Sequence, residues 1–120
     1  MWRLPIRALA LTLLAADCSG GAEQPIIGQF FSASRLLDYT SLGHVATIVF
    51  DPRTQGTVRS FTIQSVSREQ NGVKEVTIVA PVRLPDGATA QKTLVITMQR
   101  ATAPPRTASS WMITRVRLNE

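Results

Sequence analysis

Two stretches of the chain alternate apolar and polar residues with a period of two. From Val73 to Val82 the even positions Val76, Ile78, Ala80 and Val82 are apolar, while Glu75 and Thr77 point the other way. From Lys92 to Met98, Leu94, Ile96 and Met98 repeat the pattern opposite Thr93 and Thr97. Strands with one buried face read this way. Between them Pro85-Asp86-Gly87 supplies turn chemistry, proline presetting φ and glycine accepting a positive value. The two runs are therefore expected to form an antiparallel hairpin. Pro81 has no N–H to give a ladder, so it belongs at a bulge or at an unpaired edge position.

Weaker patterns flank the hairpin. Val58 to Val66 sets Phe61 and Ile63 against Ser60, Thr62 and Gln64, a strand that leads toward a turn at Asn71-Gly72. His44 to Phe50 is rich in β-branched residues and stops at Asp51-Pro52, with Gly56 beyond; it reads as a further strand, or else as a continuation of the helix before it. Trp111 to Leu118 is a last strand whose phase changes midway, Trp111 and Ile113 on one parity and Val116 and Leu118 on the other. That predicts a bulge, or a strand apolar on both faces. Ala101 to Ser110, with Pro104-Pro105, reads as an exposed connection. Upstream, Glu23-Gln24-Pro25 reads as a linker into a helix from about Ile27 to Asp38. Phe30, Phe31, Ser34, Leu37 and Leu42 lie near helical spacing, and Gly43 allows the chain to turn.

One helix followed by four or five antiparallel strands makes an α+β domain in which a curved sheet wraps around the helix. With a leader over residues 1–22, the folded unit is a single domain over 23–120. The element order and the closing Trp-x-Ile strand resemble the cystatin-like roll and, more loosely, the nuclear transport factor two-like fold. The first resemblance implies a binding or inhibitory role, the second a cone-shaped pocket.

The leader has a basic start with Arg3 and Arg7, a largely apolar nine-residue stretch from Ala8 to Ala16, and small residues after it. This is the plan of an export signal, and it is too short to span a bilayer, which takes about 20 residues. Cys18-Ser19-Gly20-Gly21-Ala22 resembles the modified cysteine and tether of bacterial lipoproteins, which implies lipidation at Cys18. Asp17 and Ala15 stand where that family carries a small residue and a Leu-like residue. Ordinary signal peptidase cleavage after Ala16 or Ala22 is the competing route. Cys18 is the lone cysteine, so no intrachain disulfide is available and packing alone must hold the fold.

Charge adds little. The formal net charge is +5, and arginines spread along the chain give a basic surface without a dedicated tail. Such a surface suits an anionic lipid, a cell-wall polymer or another envelope protein. Strand-surface readers of nucleic acid interleave aromatic and basic residues; this chain does not, so no nucleic-acid partner is expected. His44 is the sole histidine, a conceivable acid–base group with Asp38 or Asp51. One histidine and one cysteine cannot supply three zinc ligands, and no Gly-x-Ser-x-Gly turn or phosphate-cradling loop occurs, so neither metal nor cofactor is expected. Gln64-Ser65-Val66-Ser67-Arg68 resembles the Gln-x-Val-x-Gly hairpin of cystatins, with Arg68 in place of the glycine; the resemblance implies that Gln64 and Val66 would enter a protease cleft. The leading expectation is an exported, non-enzymatic binding or accessory module. The alternatives are a small pocket enzyme using His44 or a carboxylate, and a cystatin-like inhibitor.

Overall fold

The computed structural model describes residues 21–100 and 111–119. The leader, Cys18 and the connection over 101–110 lie outside them. Helix α1 spans Glu23–Leu36 and a single turn, α2, spans Tyr39–Leu42; the strands are β1 Thr57–Val58, β2 Thr62–Val66, β3 Val73–Arg83, β4 Thr89–Arg100 and β5 Trp111–Leu118. The sheet runs β1-β3-β4-β5, and β2 also pairs with β3. All these pairings are antiparallel. The domain is the α+β arrangement expected, one main helix on a curled sheet.

The alternating pattern fixes which face of the sheet meets the helix. Val76, Ile78, Ala80 and Val82 of β3 and Leu94, Ile96 and Met98 of β4 are buried, and they pack with Ile27, Phe30 and Phe31 of α1. Ile27, Phe30, Phe31 and Ser34 form the helix's buried stripe at spacings of three and four. Phe31 is the aromatic hub, with ring centroids at 5.0 Å from Phe30, 5.4 Å from Phe50 and 6.0 Å from Phe61. The Ser34 hydroxyl accepts from the Phe50 N–H at 3.1 Å in the same core. The hairpin of β3 and β4 has continuous register from Val73↔Gln99 to Arg83↔Thr89, longer at both ends than the alternation alone marks.

Four local features depart from or refine the sequence reading. The helix begins four residues earlier than Ile27, so Glu23 is helical and buried rather than part of a linker. Its end is set by Leu37 in the left-handed region (φ 52°), after which Asp38 caps α2. The predicted strand over His44–Phe50 is not formed: only Ala46 makes a β-bridge, parallel to Ile113, and Val45, Ala46 and Phe50 are buried through side-chain packing. The stretch read as one strand from Val58 to Val66 is two, β1 and β2, bonded to different parts of β3. Pro81 falls between those parts. Asn119 donates to the Thr93 carbonyl, so odd residues of β4 bond toward β5 and even residues toward β3. The opposed pair Ala80↔Lys92 is then a bonded one, and the Pro81 nitrogen points to the unpaired gap, where a missing N–H costs nothing.

The phase change in β5 is a bulge. Ile113 opposes Met98 and Arg115 opposes Thr97, which leaves Thr114 as the extra residue. Its effect is to bring Trp111, Ile113, Val116 and Leu118 onto one face, opposite Arg100, Met98, Ile96 and Leu94.

Gly56 has φ 112°, and a Cβ there would sit 2.5 Å from the Arg83 carbonyl oxygen and 2.9 Å from a Val82 methyl. Gly56→Ala is therefore expected to cost about 1–3 kcal/mol, and Gly28→Ala, where nothing lies within 4 Å, to gain up to about 1 kcal/mol of helix stability. Thermal denaturation checks both: Tm falls by at least about 4 °C for the first and does not fall for the second.

Candidate functional site

The helix does not cover the whole concave face. Beyond Phe50, between the turn at 51–56 and the ends of β4 and β5, lies a cleft of about 240 Å³. Phe50, Val82, Leu94, Val116 and Leu118 make its apolar surface, and Lys92 is its one lysine. Val116 is half-buried and Leu118 is 47% exposed, which is large for a leucine on the core side of a sheet. Lys92 makes no salt bridge among the described residues. An apolar hollow whose lining includes Lys92 and Arg117 can seat a hydrophobic group and draw a negative charge toward it.

One wall of the cleft is fixed by Asp51. Its carbonyl accepts from the N–H groups of Thr54, Gln55 and Gly56. Its carboxylate accepts from the Arg53 N–H at 2.8 Å and takes the Arg53 guanidinium in a two-pronged contact, both prongs at 3.1 Å. The Arg53 side chain, then its backbone N–H, hold the Asp51 carboxyl below the usual aspartate range. Thr54 and Gln55 of this turn line the cleft.

The other end of the sheet is closed by charge. Lys74 bonds Glu23 at 2.5 Å, with both side chains about nine-tenths buried. Its ammonium also lies 4.1 Å from the Trp111 ring, and the Arg100 guanidinium lies 4.6 Å from the same ring. Arg100 in turn takes Glu69 in a two-pronged contact at 3.0 Å, which lowers the Glu69 carboxyl. This chain of charges ties the start of α1 to the hairpin and to the start of β5. It is a fastening, because its groups satisfy one another.

The residues singled out in the sequence lie elsewhere. His44 is exposed in the turn after α2, with its N–H donating to the Ser41 carbonyl. Asp38 is exposed and spent on capping α2, accepting from the Ser41 N–H at 3.2 Å and the Ser41 hydroxyl at 2.9 Å. Those two bonds, backbone first, lower its carboxyl. Neither His44 nor Asp38 lines the cleft. Gln64 is exposed at an irregularity in β2, and Val66 is paired to Val76 and packs against the core. The Gln64-x-Val66 segment is thus strand rather than a projecting loop. Cys18 lies outside the described residues. Among the described residues no three His, Cys, Asp or Glu side chains gather as a metal site, and no helix is long and apolar enough to cross a membrane. Lys92, Val116 and Leu118 were not marked as site residues by the sequence; the broken phase of β5 was the one available signal. No protein-family model, curated protein or solved structure matches the chain.

Because the Asp51 and Asp38 carboxyls are lowered in the folded state, their contribution to stability is complete above the ordinary aspartate value of 3.8 and is lost as pH falls through the folded values. Melting curves from about pH 6 down to about pH 2.5 should show Tm falling with acid, and Asp51→Asn should make that fall shallower. An unchanged slope would mean that the Arg53 contact does not hold in solution.

Proposed function

We propose that this chain is an exported envelope domain, of the helix-in-curled-sheet kind, that works by binding a partner in the cleft between β5 and the turn at 51–56. What carries the reading is the placement of apolar surface against the placement of titratable groups. The centre of the roll is filled by Phe30, Phe31, Ile78, Ile96, Met98 and Ile113, all nearly or wholly buried. The acid–base candidates His44 and Asp38 stand outside on exposed turns. The apolar surface that remains open is a cleft of about 240 Å³ whose lining includes Lys92 and Arg117 but no histidine or carboxylate, which suits recognition of a side chain or small apolar group. Export comes from the leader, with Cys18 as the candidate anchor that would hold the domain at a membrane surface.

Two measurements test this. Metabolic labelling with a palmitate analogue, compared with Cys18→Ala, is expected to mark the wild type alone; an unlabelled protein recovered from the cytosol overturns the export reading. A benzophenone cross-linking residue at Leu118 is expected to give a discrete adduct in envelope extract that the same residue at Thr62, on the opposite face, does not give. No adduct at Leu118, together with substrate turnover that is lost in His44→Ala, would replace the binding module by an enzyme.

A further inference from the structure

We infer that the outer edge of β5 at Val116–Leu118, with the cleft beside it, is a strand-addition site for an extended acidic peptide carrying apolar residues at alternate positions. The inference rests on the reading of the domain as a binding module and names its partner's chemistry. The argument begins with the backbone. Because Asn119 bonds Thr93, Arg117 and Arg115 bond inward to Val95 and Thr97, while Val116 and Leu118 direct their N–H and C=O groups away from β4. Further along the same edge Ile113 spends its outward pair on Val45 and Thr47, at 2.7 and 2.9 Å. After Ile113 no described segment pairs with the edge.

An added strand would take up those outward groups. Its side chains would alternate between the two faces of the sheet. On the concave face they would enter the cleft next to Val116 and Leu118. On the convex face they would lie across from Arg115 and Arg117, where carboxylates are favoured and cations are rejected. Lys92 adds a positive charge inside the cleft. Among the described residues the sole carboxylate bonded to this pair of arginines is Glu75, 3.6 Å from Arg117, with both side chains more than two-fifths exposed. Charge also argues against a second copy as the occupant. Antiparallel pairing of β5 with itself would bring Arg115 and Arg117 of one chain against the same residues of the other. Charged, bulged edges are how sheets avoid pairing with their own kind, and here the same charges leave the edge open to a partner of opposite sign.

The test uses the full chain and two end-blocked octapeptides, one alternating glutamate with valine and the other lysine with valine. Fluorescence anisotropy gives the affinities, and amide chemical shifts give the place of binding. The acidic peptide is expected to bind at least about tenfold more tightly than the basic one and to shift the Val116 and Leu118 amides most. Val116→Pro removes an outward N–H that the β4 ladder does not use, and should weaken acidic-peptide binding at least about tenfold with an unchanged circular dichroism spectrum. Arg115→Glu combined with Arg117→Glu should invert the preference between the peptides, and it decides the matter alone if the proline variant unfolds. Equal binding of the two peptides, or no inversion, overturns the inference. If neither peptide binds but the Leu118 cross-link still forms, the strand-addition site is wrong and the binding module stands; if both fail, both readings fall.

Discussion

The outward N–H and C=O of Ile113 decide the layout of this domain. They bond to Val45 and Thr47 and so clamp the chain that follows α2 against the last strand. That clamp closes one half of the β5 edge and lets Ala46 and Val45 pack into the core. It ends abruptly, because Thr114 is an extra residue and the chain after Thr47 turns inward to place Phe50 against Phe31 and Ser34. Beyond the bulge the strand still faces the core side, yet Val116 is only partly covered and Leu118 is 47% exposed. Cleft and open edge are two consequences of the same stop.

The two ends of the sheet solve opposite problems. At the Trp111 end a buried carboxylate and ammonium meet under an aromatic ring, an arrangement that is costly to break because each charge would be left in a dry site. It gains specificity of docking more than net stability, fixing how the helix starts on the sheet. At the Leu118 end the surface is apolar, partly wet and backed by a turn that Asp51 holds in place. Buried charge is concentrated where the helix is fastened, and exposed apolar surface where it is not. β3 and β4 keep the two ends about a strand's length apart.

Much of this is legible in the sequence. The hairpin of β3 and β4 was readable because Val76 to Val82 and Leu94 to Met98 are buried at alternate positions on one face, and a period of two survives only where burial enforces it. The bulge in β5 could be read from its broken parity for the same reason. The stretch from His44 to Phe50 misled because β-branched residues fit a packed loop as well as a strand; the edge that could have paired it was already committed to a single bridge at Ala46. Glu23 looked like linker because a charged residue beside a proline gives no sign of a lysine waiting fifty-one residues away. The cleft was hidden for a further reason. Lys92, Val116 and Leu118 carry no chemical signature, and their meeting in one cleft depends on Phe50 and the turn at 51–56 packing beside the sheet, which no local pattern encodes. His44 drew notice as the sole histidine and Gln64 through the Gln-x-Val resemblance, and the fold gives both to solvent.

The claim at the centre of this account is that β5 is closed at Ile113 and open after it. Amide hydrogen exchange along the strand measures this directly. Ile113, Arg115 and Arg117 should exchange slowly, as bonded positions in a sheet do, while Val116 and Leu118 exchange like exposed amides. Protection of Val116 and Leu118 equal to that of Arg115 and Arg117 would mean that the edge is already covered, and the account would be wrong.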